Sequence, residues 1–109
     1  MYDNNNIFAE IIKGNAPCAK VLETTHSLAF HDKFPDAKTH ILVIPKGPYA
    51  DITEFIAKAS AEEQLDFWQA VNSVADKAGV LGNFRLKVNT GKKAGQAVPH
   101  FHAHILSDN

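Results

Sequence analysis

The stretch Lys20-VLETTHSLAFHDKFPDAKTHILVI-Pro45 decides the fold. It carries three short runs in succession, Lys20–Thr24, Ser27–Asp32 and Thr39–Pro45, separated only by a Thr-His turn and a proline-containing loop. Short apolar, β-branched runs bounded by turn residues read as strands, and the last, with its HILVI core, reads as central. Strands that follow one another without intervening helices argue for antiparallel pairing in an α+β domain, not for a parallel doubly wound sheet.

Working outward, Ile7-Phe8-x-x-Ile11-Ile12 repeats apolar residues at three and four spacing, which predicts a short helix ended by Gly14 and Pro17. Beyond Pro45, the segment from Asp51 to Ala78 changes character, and Ser60-Ala-Glu-Glu63 matches a capping box opening a helix that runs to Gly79. Phe67, Val71, Val74 and Ala78 recur at helical spacing, so this helix is expected to pack on the sheet, with Trp68 packing beside the stripe. Phe84–Thr90 and Pro99–Ser107 read as two more strands, joined by a loop from Gly91 to Gln96. The expectation is a single domain over residues 1–109, with a five-stranded antiparallel sheet and two helices.

Composition narrows the function. The chain has 109 residues, 11 basic and 12 acidic, mixed along its length, so no basic stripe exists to grip duplex nucleic acid. Cys18 is the one cysteine and reads as a small, partly buried apolar residue, which fits a reducing compartment. Neither a signal-peptide pattern nor about 18 continuous apolar residues occurs, so a cytoplasmic protein without membrane association is expected. A small phosphorylated ligand remains compatible, because backbone amides and a few neutral donors can hold it.

The chemistry concentrates in Gly95-Gln-Ala-Val-Pro-His100-Phe-His102-Ala-His104-Ile-Leu106, which holds three of the six histidines. In a strand, His100, His102 and His104 line one face and Phe101, Ala103 and Ile105 the other. Three imidazoles on one face are expensive, since each buried ring needs a hydrogen-bond partner. A zinc site is one reading, because three histidines leave an open position for water. A phosphate site is another, with one imidazole attacking while its neighbours orient it and protonate the leaving group. Context favours phosphate. Gly91 and Gly95 let backbone N–H groups turn toward an anion, Asn89, Thr90 and Gln96 add neutral donors, and no Asp or Glu lies between Phe84 and Leu106 to serve a metal. On the residues alone, the metal site and a purely structural cluster stay open as alternatives. Lys92 and Lys93 sit at a loop tip, His31 reads as a surface residue, and His26 as a turn residue.

The string His100-Phe-His102-Ala-His104-Ile-Leu106 resembles the histidine-triad motif, and Ile7–Pro17, Leu28–Pro45 and Asn89–Leu106 resemble its Hint branch, the nucleoside phosphoramidate hydrolases. The resemblance implies that His102 is the nucleophile, that His104 contacts phosphate and the departing group, and that His100 orients. It implies that His40 is a further active-site histidine and that Asp32 holds the ribose hydroxyls. Ile7, Phe8, Ile11, Phe30 and Leu42 match the walls around the base, although pattern alone would place Ile7, Ile11, Phe30 and Leu42 in the core. Asn89 matches a residue beside the phosphate, with Gly95 and Gln96 in the adjoining loop. The implied partner is a purine nucleotide or nucleotide conjugate, and the implied assembly a homodimer. A dinucleoside polyphosphate hydrolase, or a nucleotide- or partner-binding module with weak catalysis, are the alternatives. Three departures stand out. Ala97 replaces a common Ser or Thr near the leaving group, Asn6 and Ala9 stand where some relatives carry a Cys-x-x-Cys zinc pair, and only three residues follow Leu106, where Hint proteins carry a tail. A structural zinc is therefore not expected, and the implied chemistry needs no metal or other cofactor; the short tail leaves that chemistry intact but does not carry over the Hint substrate preference or dimer affinity.

Overall fold

A computed structural model of the chain describes residues 2–109. Its elements run α1 (Ile7–Ile12), β1 (Lys20–Glu23), β2 (Ser27–His31), β3 (Thr39–Pro45), α2 (Ile52–Lys58), α3 (Ala61–Lys77), β4 (Arg85–Lys87) and β5 (Ala103–Ser107). The strands form one antiparallel sheet in the order β1-β2-β3-β5-β4, so the HILVI strand is central as its composition indicates. No helix among the described residues is long and apolar enough to cross a membrane.

The central strand is buried on both faces, which explains its unbroken apolar run. Ile41 and Val43, with Ala103 and Ile105 from β5, meet Phe67, Ala70, Val71 and Val74 of α3. Phe55 and Phe101 complete this layer, with ring centroids 4.9 Å apart. Truncating a fully buried aromatic such as Phe67 to Ala would cost about 3–5 kcal/mol. Leu42 and Ile44 point the other way, against Leu28, Phe30 and Phe8 of α1. That second layer is thinner, and the histidines sit at its edge.

The expected helix from Ser60 forms as predicted, with both halves of its capping box made and Gly79 following at φ +75°. The count of two helices needs correction, because Asp51 caps a separate helix, α2, by accepting from the Glu54 amide. Extended backbone at Ala59 then breaks the chain before Ser60 begins the next helix. Trp68 also departs from its packing role: it stands edge-on to Phe67 but is 42% exposed.

The last two strands are shorter than predicted. β4 keeps only Arg85–Lys87, and β5 begins at Ala103 because the Phe101 amide donates to the Tyr49 carbonyl at 2.8 Å, not to a neighbouring strand. Only His104 of the three clustered histidines therefore lies in a strand. Side-chain alternation nevertheless survives, with Phe101, Ala103 and Ile105 in the α3 layer and His100 and His102 beside Phe8.

Candidate active site

The site is built where the segment after Gln96 is clamped to the loop after β3. Gln96 Nε2 donates to the carbonyls of Ala50 at 2.7 Å and Val98 at 2.9 Å, and its Oε1 accepts from the Gly91 amide at 2.8 Å. These bonds take up the Gln96 amide, so it shapes the loop and does not supply the free phosphate donor that its sequence position suggested. Gly47 belongs to the same clamp, since a Cβ there would meet the Tyr49 ring at 2.5 Å.

His100 is fully buried, and its Nε2–H donates to the Pro45 carbonyl at 2.8 Å. Its Nδ1 accepts from the Tyr2 hydroxyl, a partner that sequence reading missed. Burial pushes the His100 pKa down to about 4, so the ring is neutral at pH 7. The backbone carbonyl of His100 in turn accepts from His102 Nδ1 at 2.7 Å. A neutral imidazole carries one proton, so this bond places it on Nδ1 and leaves a lone pair on Nε2. Burial holds the His102 pKa below its ordinary value, partly opposed by that bond and by the nearby Asp32 carboxylate. Phe8 stands edge-on to the His102 ring, with centroids 5.1 Å apart.

His104 is reached from β3. The Asp36 amide donates to His40 Nδ1 at 3.0 Å, which forces the His40 proton onto Nε2. That Nε2 lies 2.9 Å from His104 Nδ1 and 3.4 Å from Asp32 Oδ2. His104 therefore accepts at Nδ1 and keeps its own proton on Nε2. That Nε2 is buried and has no hydrogen-bond partner among the described residues. The His102 and His104 ring centroids are 5.0 Å apart. A nitrogen lone pair and an unsatisfied N–H donor thus belong to adjacent rings. Burial, reinforced by the neighbouring His102, His40 and Lys87, pushes the His104 pKa down to about 4. Lys87, the cross-strand partner of His104, is a second residue that sequence reading overlooked, although its register follows once β4 and β5 are paired.

Asp32, His40 and His104 bring one ligand atom each within 4.8 Å of one another, a spacing compatible with a metal. The donor set does not fit. A metal on His40 Nε2 would push that ring's proton to Nδ1, against the Asp36 amide that now donates there. The trio is better described as a hydrogen-bond chain.

The remaining predicted residues distribute as follows. Phe8, Phe30 and Leu42 are buried in one apolar cluster, with Ile11 packed against it. Ile11 also borders a cavity of about 280 Å³ with Ile12, Cys18 and Leu28. Ile7 is 50% exposed, which removes it from the core that its spacing suggested. Asp32 Oδ1 accepts from the Phe34 amide at 2.8 Å, which leaves Oδ2 on the His40 side. Gly95 adopts φ +91°, a left-handed conformation costly for other residues, and lies beside the half-buried Asn89. His31 and the Lys92–Lys93 tip are exposed, as expected, and His26 is paired with Glu62 at 3.2 Å.

Residues 13–109 match the family model described as the HIT domain. The chain belongs to the HIT domain family. Over 107 residues it is 50% identical to an uncharacterised HIT-like protein of Azospirillum brasilense, covering 97% of this chain and 88% of that one. It is 41% identical over 100 residues to the adenosine 5'-monophosphoramidase of Schizosaccharomyces pombe, covering 92% of this chain and 71% of the yeast protein. Among solved structures, a HIT family hydrolase from Clostridium thermocellum superposes with a TM-score of 0.87 at 36% identity, over 96% of this chain and 91% of the other.

Proposed function

We propose that this HIT-domain chain hydrolyses purine nucleoside 5'-monophosphate phosphoramidates, or related nucleotidyl conjugates, through a nucleotidyl intermediate on His102. The observation that carries the reading is the pairing of a bare Nε2 on His102 with an unpartnered Nε2–H on His104. The His102 lone pair attacks the α-phosphorus as the bond from phosphorus to the leaving nitrogen breaks, and His104 gives its proton to the departing amine. Water then attacks phosphorus, the bond to His102 breaks, and the water proton returns to His104. His40 holds His104 in the required tautomer, and His100 does the same for His102.

Several features support a nucleotide as substrate. Phe8, Phe30 and Leu42 form one apolar cluster, and Ile7, which precedes Phe8 in α1, leaves an apolar side chain in solvent that a base can cover. Asp32 offers a carboxylate for ribose hydroxyls, and the half-buried Asn89 lies beside the left-handed Gly95, with its side-chain amide able to meet a phosphate. The named activity of the Schizosaccharomyces pombe relative points the same way. The chain acts as a homodimer, a reading supported by β4, a three-residue edge strand whose Leu86 is exposed and whose pairing across a two-fold axis would remove a free edge.

Single-turnover assays on a panel of adenylated and guanylated amines, with diadenosine polyphosphates for comparison, test the proposal. Faster cleavage of the phosphoramidates is expected. Faster cleavage of the polyphosphates would move the assignment to a dinucleoside polyphosphate hydrolase, and no cleavage of either would leave a binding module.

A further inference from the structure

The nucleophile's proton bookkeeping starts further from the phosphate site than the clustered histidines, at the N-terminal turn that precedes α1. Asn6 is buried and caps α1, its Oδ1 accepting from the Ala9 amide at 2.9 Å. Because that amide can only donate, the Asn6 Nδ2 group must face the other way, and it donates to the Tyr2 hydroxyl at 2.9 Å and to the Asp3 carbonyl at 2.8 Å. The Tyr2 oxygen therefore accepts from Asn6, and its hydrogen goes to His100 Nδ1. From the opposite end, the Pro45 carbonyl can only accept, so His100 carries its proton on Nε2. Both ends dictate the same polarity, and the Tyr2 and His100 rings meet edge to face at 5.6 Å between centroids. Burial raises the Tyr2 pKa, so the phenol stays protonated and able to donate.

We propose that Tyr2 is a positioning residue for the nucleophile: together with Asn6 it fixes the tautomer and seat of the His100 ring, and through it the backbone carbonyl that holds His102 Nδ1–H. This role rests on the reading of His102 as nucleophile. Without the Tyr2 hydroxyl, His100 keeps a buried lone pair with no donor, and either ring nitrogen can turn to Pro45. The His100 carbonyl is then less firmly held, and the proton on His102 is free to populate Nε2, the attacking atom. Tyr2 does not touch the substrate in this scheme, so turnover suffers and nucleotide binding does not.

Long-range proton–nitrogen NMR of the imidazoles reads the tautomers without any turnover. In the native protein His100 is expected as Nε2–H and His102 as Nδ1–H. Tyr2→Phe should shift the His100 Nδ1 resonance toward that of an unbonded nitrogen and introduce the Nε2–H form of His102. The kcat for an adenosine phosphoramidate should fall about ten- to a hundredfold, with KM within about threefold, as a misplaced catalytic group predicts. Asn6→Asp gives a second route to the same readouts, since it keeps the cap on Ala9 but offers an acceptor that draws the phenol hydrogen away from His100. Native His100 protonated on Nδ1, unchanged kcat in both variants, or lost kcat with unchanged tautomers would each overturn the proposal. Retained turnover in His102→Asn would instead remove the nucleophile reading while leaving the tautomer result standing.

Discussion

His40 Nε2 lies 2.9 Å from His104 Nδ1, and the proton between them belongs to His40, because the Asp36 amide occupies the other His40 nitrogen. His104 can therefore act as an acid only from Nε2. His40→Ala removes the group that enforces this tautomer, and kcat for amine leaving groups should fall on the order of 10²-fold, the low end for a positioned general acid. The loss should shrink sharply for a leaving group that departs without a proton, such as a nitrophenolate. Steady-state kinetics on both substrate types check this, and an equal loss on the two would show that His40 acts elsewhere.

Acid should unfold the protein through the same histidines. His100 has an ordinary pKa of 6.5 when unfolded and about 4 in the fold, because burial disfavours its charged form. The unfolded chain thus binds the proton more readily, and the stability from the neutral native ring is complete above pH 6.5 and drains away as pH falls toward 4. His100 alone should cost about 2 kcal/mol at pH 5 relative to pH 7. Urea midpoints at the two pH values measure it, and a His100→Gln variant should show a shallower pH slope.

Asp32 keeps Oδ2 on the His40 side of the site, while Oδ1 is tied to the Phe34 amide. If that carboxylate accepts from ribose, each charged hydrogen bond contributes about 1.5–3 kcal/mol, and a deoxyribose lacks one donor. Titration calorimetry should show 2'-deoxynucleotides binding about ten- to a hundredfold more weakly, with the gap closing in Asp32→Ala. Equal affinity for the two sugars in the native protein would count against this role.

Chelation separates phosphate chemistry from zinc chemistry. Since the His40 tautomer disfavours a metal at the Asp32–His40–His104 cluster, prolonged dialysis against a chelator should leave kcat/KM unchanged. Activity lost on dialysis and restored by zinc would reverse the assignment.

Much of this architecture is legible in the sequence because its signals are local. The HILVI strand, the Ser60 capping box and the glycine at position 79 declare themselves within a few residues, and all three appear where expected. The cap at Asp51 was equally local, since Asp51-Ile-Thr-Glu54 repeats the pattern seen at Ser60, but its helix merges in sequence with the longer one that follows. What sequence cannot declare is partnership across the chain. Tyr2 and His100 are 98 positions apart, and nothing in either neighbourhood predicts that one phenol closes the other's hydrogen-bond requirement. The late start of β5 has the same origin, because the acceptor that pulls Phe101 out of the sheet is the carbonyl of Tyr49, in another loop. Gln96 reads in sequence as a free amide donor, and in space its amide is taken up by Ala50, Val98 and Gly91.

The central claim is that His102 bonds covalently to phosphorus, and one substitution tests it most directly. His102→Asn keeps a polar side chain but removes the nucleophilic nitrogen, while the nucleotide contacts assigned to Asp32, Phe8 and Phe30 remain. Measured on an adenosine phosphoramidate, turnover by the variant should drop by several orders of magnitude, and nucleoside monophosphate affinity should stay within about tenfold of native. A group that merely donated to the phosphate would cost only about 10²–10³ in rate. Substantial turnover retained by His102→Asn, at the level expected for loss of one such donor or above it, would contradict the covalent mechanism.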